Sequence, residues 1–144
     1  MPHYDPVVFP HRDLTDRVIG EFYAVYNDLG FGFLESVYHQ SLLIALTEVG
    51  LLTESQVKLP VCFRGHIVGE FIADIFVERK VILELKAAEE FCPAHEAQLL
   101  NYLKASEVEV GLLLNFGPKP RIRRLASSNE RKRSRPSVLI DQLS

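Results

Sequence analysis

The stretch Glu70–Lys86, EFIADIFVERKVILELK, constrains this chain more than any other. It reads as two strands joined by the polar turn Glu78-Arg79-Lys80. Along the first, Phe71, Ala73, Ile75 and Val77 alternate with Glu70, Ile72, Asp74 and Phe76; along the second, Val81, Leu83 and Leu85 alternate with Ile82, Glu84 and Lys86. Apolar residues on both faces are what strands covered on both sides require. Yet Asp74, Glu84 and Lys86 interrupt those runs. With three residues in the turn, Val77 pairs with Val81, and counting outward sets Asp74 opposite Glu84. Opposed positions hold their Cβ atoms about 4.5–5.5 Å apart, where like charges repel. A half-buried carboxylate pair without a partner is costly.

A divalent cation between the two acids removes the difficulty. Mg²⁺ takes one or two carboxylates and keeps several waters, and the Leu85 carbonyl between Glu84 and Lys86 offers a further oxygen. Such a cation polarises a phosphodiester oxygen and acidifies a bound water. Lys86, on the strand face of Glu84, would hold that water and offset transition-state charge. The plain alternative is a salt-bridged Glu84–Lys86 pair at a sheet edge.

The rest of the chain supplies covering layers. Pro2, Pro6 and Pro10 make residues 1–12 an irregular arm. Asp13 or Thr15 could cap a first helix, whose stripe is Leu14, Val18, Phe22, Val25 and Leu29 and whose terminator is Gly30. After Phe31-Gly32-Phe33, a second helix spans about Leu34 to Val49, with Leu34, Tyr38, Leu42, Ala45 and Val49 facing inward. Glu35 and Tyr38, three apart, look toward one edge of that stripe; a Glu in a first turn is also an ordinary partner of the helix dipole. A strand from Ser55 to Phe63 turns at Arg64-Gly65-His66 into the central hairpin, with Gly69 a bulge position. Pro93 opens a third helix to about Ala105. On it His95, Gln98 and Tyr102 share one face, either a solvated one or a set of donors to phosphate oxygens. Val108–Phe116 is an almost unbroken apolar strand, expected at a central or doubly covered position, and Arg121–Leu125 a short edge strand.

One domain of 13–125 follows, with a basic, mobile tail over 126–144. Residues 119–144 carry eight of the 16 basic residues against Glu130 and Asp141, a segment of +6 that leaves −9 on residues 1–118. Such an end is either a solvated tail or a local contact for a polyanion. The apolar Val138-Leu139-Ile140 could dock back or join two copies in a homodimer. Cys62 and Cys92 have neither metal-ligand spacing nor a disulfide framework. No apolar run approaches the roughly 20 residues of a membrane span, and MPHYDPVVFPHRD lacks the regions of a signal peptide. The expectation is a cytoplasmic protein that does not engage a membrane.

Asp74…Glu84-x-Lys86 resembles the core of the PD-(D/E)xK nuclease superfamily. Gly32-Phe33-Leu34-Glu35-Ser36-Val37-Tyr38 is similar to the signature of its GxxExxY family, and Gln98 to Tyr102 to the QxxxY element of the recombination and repair exonucleases. The resemblance covers about Leu14 to Phe116, with four motifs in order. It implies a restriction-endonuclease-like α/β fold: an α-β-β-β-α-β core, a mixed sheet flanked by helices, and an extra N-terminal helix. It implies a nuclease cutting DNA by metal-activated water attack, or a silent nucleic-acid-binding or protein-interaction module on the same fold. By it, Asp74 and Glu84 bind Mg²⁺, with Mn²⁺ able to substitute; Lys86 is the catalytic lysine; Glu35 reaches the metal directly or through water. Gln98 and Tyr102, with Tyr38 and His95, would hold the substrate. Two positions depart from the family: Tyr26, where His is frequent, and Phe31, where proline is common.

Overall fold

The computed structural model describes residues 9–129, 132 and 139–143. Three helices, α1 (Arg12–Leu29), α2 (Glu35–Glu48) and α3 (Pro93–Ala105), enclose a mixed sheet. Its strands are β1 (Thr53–Phe63), β2 (His66–Val77), β3 (Val81–Lys86), β4 (Val110–Phe116), β5 (Pro120–Ala126) and β6 (Leu139–Leu143), in spatial order β1-β2-β3-β4-β5-β6. Among the described residues only the β3–β4 pair is parallel, and α3 is its crossover. The architecture is the α/β one expected, a sheet with helices on both faces and an additional helix at the front. None of the described helices is long and apolar enough to cross a membrane.

Two cores follow from two covered faces. One joins Val18, Phe22 and Val25 of α1 and Tyr38, Leu42 and Leu46 of α2 to Ile75, Val77, Leu83, Leu85 and Leu112 of the sheet. The other joins Leu99, Tyr102 and Leu103 of α3 to Phe71, Ala73, Phe76, Ile82 and Leu113. Strand β4, buried at every residue, serves both and is central as its apolar run requires.

Several helix details differ from expectation. Neither Asp13 nor Thr15 caps α1: His11 holds that place in the left-handed region, and buried Thr15 donates from Oγ1 to Arg12 O inside the first turn. On α2 the inward stripe is Tyr38, His39, Leu42 and Leu46 rather than Leu34 and Val49, both of which are exposed. Gly30 and Gly50 do terminate their helices at positive φ.

The C-terminal stretch is less of a tail than its composition suggests. Strand β5 is no edge, because β6 pairs with it from Ala126–Leu139 to Ile122–Leu143. Leu139 and Ile140 therefore dock back on their own sheet, while Val138 lies outside the described residues. Three of the eight basic side chains are committed to the body. Arg124 is 1% exposed, its Nη2 2.8 Å from Asp16 Oδ1. Arg123 lies 3.4 Å from Glu96 and over the Phe91 ring. Lys132 Nζ donates to the carbonyls of Ser106 and Val108 and to Asn129 Oδ1. The mobility expected for Ser127–Ser137 falls largely on residues outside those described, as does most of the 1–12 arm.

Candidate active site

The hairpin β2–β3 has the three-residue turn that the sequence predicts, with Val77 opposite Val81, Phe76 opposite Ile82 and Ile75 opposite Leu83. Glu78 and Arg79 both sit at positive φ, an unfavourable place for side chains other than Gly and Asn. They are held there by β1 and the residue before it: Glu78 N donates to Leu52 O, Leu52 N to Glu78 Oε2, and Arg79 Nη2 pairs with Glu54 at 2.7 Å.

The backbone ladder stops at Ile75–Leu83, and one step beyond it Asp74 and Glu84 bond across the two strands through their side chains. Here each carboxylate takes the place of a missing ladder bond. Leu85 N donates to Asp74 Oδ2 at 2.8 Å, and Asp74 N donates to Glu84 Oε1 at 3.2 Å. Asp74 Oδ1 and Glu84 Oε2 accept no hydrogen bond among the described residues. A residue's N–H and C=O leave an extended strand on the same side, so the Leu85 carbonyl also faces β2.

The alternation of β2 slips at this point. Phe71 and Ala73 pack with α3, whereas Ile75 and Val77, of the same parity, pack with α1 and α2. On β1, Ser55 turns toward α2 and Val57 toward α3, across Gln56 at φ 53°. The strict alternation expected of Glu70–Val77 is thus broken at Asp74, which opens a cleft of about 290 Å³ lined by Asp74, Glu35, His39, Gln40, Ser55 and Gln56.

Electrostatics tie four expected residues together. The Glu84 carboxyl is pushed up to about 8, first by burial and then by the Asp74 charge; Glu35 adds to the rise, and Lys86 and the Asp74 N–H oppose it. Lys86 forms no salt bridge with Glu84 among the described residues, so the plain sheet-edge ion pair is not what holds them. No three His, Cys, Asp or Glu side chains gather to hold a metal among the described residues. Two acids, each with an unbonded oxygen, and a carbonyl fit a hydrated hard cation better than a cage of acids.

The other expected site residues go elsewhere. Tyr38 is fully buried, stacked on Phe116 with ring centroids 4.4 Å apart. Its hydroxyl donates to Gly30 O at 2.6 Å and accepts from Phe33 N at 3.3 Å, so it pins the loop before Glu35 rather than facing a ligand. Tyr38→Phe should keep the stack but leave both backbone groups unpaired, at a cost of about 1–3 kcal/mol readable by urea denaturation. Tyr102 is 6% exposed and stacked on Phe71, its hydroxyl pKa raised by burial. His95 and Gln98 are exposed on α3, without a side-chain hydrogen bond among the described residues. Tyr26, in place of the frequent His, donates to the carbonyls of Gly117 and Pro118.

Two polar residues of the cleft were not singled out from the sequence. His39 Nε2 lies 2.7 Å from Ser55 Oγ, beside Glu35 and Asp74. Their signal was available in part, since His39 follows Glu35 by four residues and so shares its helix face. A third is Asn115, fully buried opposite Lys86. Its Oδ1 accepts from Ala88 N at 3.0 Å and its Nδ2 donates to Ala88 O at 2.9 Å, fixing the chain just past the lysine.

No curated protein matches the chain. One solved structure, that of SSO0001, is 18% identical with a TM-score of 0.45; the match covers 90% of this chain and 58% of that one. A likeness at that level carries no argument. A family model does match, over residues 12–125, which run from the start of α1 into β5 and include every residue of the cleft. The chain belongs to the PD-(D/E)XK nuclease superfamily.

Proposed function

We propose that this domain hydrolyses DNA phosphodiester bonds by metal-activated water attack, in the manner of the GxxExxY branch of the superfamily. The observation that carries the reading is the pair of opposed carboxylates at the end of the β2–β3 ladder, coupled to Glu35 and Lys86. Nucleases of this superfamily generally use divalent metal ions, and Mg²⁺ is the one that two acids with free oxygens suit best. Asp74 and Glu84 would hold it with the Leu85 carbonyl, and Glu35 through water. A bound cation would supply Lewis acidity toward the phosphate and lower the pKa of a water. Lys86, fixed by the strand ahead of the pinned Ala88, would orient the attacking water and offset charge on the phosphate.

The test is cleavage of single-stranded, duplex and branched DNA with Mg²⁺ or Mn²⁺. Lys86→Ala should bind DNA as wild type does and cut it at least about a hundredfold more slowly, the scale of losing one charge-stabilising donor. Equal cleavage by the two proteins, or none by either, would sink the enzymatic reading. A silent binding module is the rival, favoured by the absence of a third converging acid, His or Cys side chain among the described residues. Calorimetry helps to separate them: no Mn²⁺ binding that depends on Asp74 and Glu84 favours the module.

A further inference from the structure

The loop that leads into Glu35 keeps its aromatic rings out of the core. Phe31 is 62% exposed and Phe33 47%, although the chain has two well-packed apolar cores to receive them. The loop is fixed in this posture. Gly30 and Gly32 adopt φ of 70° and 111°, which other residues resist, and the Tyr38 hydroxyl holds Gly30 and Phe33. Phe33 also meets Tyr38 edge to face, with centroids 6.1 Å apart. A rigid loop displaying two rings is arranged for something to lie against them.

Across from the rings run Ala87, Ala88 and Glu89, with Gly117 and Pro118 closing a cleft of about 260 Å³. This second cleft abuts the proposed site at both walls: Ala87 follows Lys86 directly, and Phe33 precedes Glu35 by two residues. The far wall is as fixed as the near one, through the two Asn115–Ala88 hydrogen bonds. Its volume lies just below the roughly 300–1,000 Å³ of sites for drug-sized ligands, enough for one flat ring. Just past Pro118, Lys119 and Arg121 are exposed, unlike Arg123, Arg124 and Lys132, which pair within the body. Glu89 on the opposite rim repels phosphate. A strand would therefore run its backbone along Lys119 and Arg121 and turn a base toward the rings.

We propose that Phe31 and Phe33 form a stacking platform for an unpaired nucleobase beside the scissile phosphate, so that the preferred substrate is single-stranded DNA. This deepens the nuclease reading and rests on it for the position of the scissile bond. Every base has a π-face, and base–aromatic stacking is strong and indifferent to sequence. Within a continuous duplex those faces are covered by neighbouring bases, and reaching one requires extrusion.

The probe is a fluorescein-labelled oligothymidylate, compared with a blunt duplex of equal length, titrated with the full chain in EDTA so that no turnover intervenes. Wild type should bind the single strand more tightly than the duplex. Phe31→Ala, which removes a ring with no aromatic contact of its own among the described residues, should weaken single-strand binding about tenfold or more and leave duplex binding unchanged. Phe31→Tyr should restore it. A 2-aminopurine placed in the strand should lose emission on binding wild type and Phe31→Tyr, but not Phe31→Ala. Wild-type strand affinity and quenching in Phe31→Ala would overturn the platform, as would a wild type that prefers the duplex. So would a Phe31→Ala chain that binds the strand normally yet sediments as a smaller species, since the rings would then face a protein. A wild type that binds the strand through Phe31 but never cleaves supports the platform while removing the nuclease reading.

Discussion

Glu84→Gln should make the metal-free protein more stable at pH 8.5 while abolishing Mn²⁺ binding and DNA cleavage. The Glu84 carboxyl has an ordinary value of 4.5 and is held near 8 in the fold, above all by burial and then by Asp74. Between those values the native state keeps a proton that the unfolded chain has lost. Stability therefore falls as pH rises through the window from 4.5 to about 8, and levels off above it. The shift corresponds to a penalty on the order of 4 kcal/mol at pH 8.5, which an uncharged amide of the same shape does not carry. Urea unfolding of wild type at pH 5.5 and 8.5 should show the drop, and Glu84→Gln should flatten it. Mn²⁺ should stabilise wild type more at pH 8.5 than at pH 5.5, because a ligand carboxyl must release its proton first. A wild-type stability that rises across this range would rule out a Glu84 carboxyl raised by burial beside Asp74.

That pair was legible in the sequence for a local reason. Turn length and strand parity are set by a handful of consecutive residues, so Val77–Val81 and the Asp74–Glu84 opposition could be counted out. Lys86 could be read from the same stretch, and the family motifs tied Glu35 to it; the structure couples both to the pair. Tyr38 was not legible in the same way. Its spacing from Glu35 says which side of a helix it occupies, but whether the ring meets ligand or core depends on Phe116, far along the chain. Charge counting failed for a related reason: Arg124 looks like one cation among eight until the fold brings Asp16 to it from 108 residues away. The slip at Asp74 has no counterpart in the sequence pattern, since Glu70–Val77 alternates without a break. It is decided where β1 and β2 must serve two cores at once.

Gly117→Ala should be among the most damaging single-methyl changes in the molecule. A Cβ built there lies 2.1 Å from the Ala88 carbonyl oxygen and 3.2 Å from Asn115 Nδ2. The first atom is backbone, so the strand or the loop has to move, and the Asn115–Ala88 hydrogen bonds stretch with it. Overpacking costs about 1–3 kcal/mol, and a buried amide left without partners adds about 1–3 kcal/mol. A fall in Tm of about 8–12 °C corresponds to the middle of that range for a domain of this size. Gly20→Ala is the control: it sits within α1 with nothing within 4 Å of the new methyl, and should stabilise by about 0.5–1 kcal/mol. Because Ala88 lies two residues past Lys86 and with Gly117 walls the cleft at Phe31 and Phe33, a Gly117→Ala protein that still folds should lose both cleavage and strand binding. Calorimetric melting and the cleavage assay together check both halves; equal Tm for the two variants would mean that the Ala88 loop yields freely.

The change of face at Gln56 and Asp74 also divides the long hairpin into two lengths with separate bookkeeping. Inboard of it, β2 is in step with β3, with Ile75 and Val77 turned to the helices of the first core and Phe76 to the second. Outboard, from Val57 to Ala73, the strands answer only to each other and to α3. Residues can be gained or lost in matched pairs out there, one on each strand, without rotating Asp74 away from Glu84. A gain of one residue on each strand inboard of Leu59 and Phe71 turns both to the opposite face while the acids stay put. The projecting hairpin is thus the one part of the sheet whose reach can be lengthened or trimmed independently of the chemistry at its base.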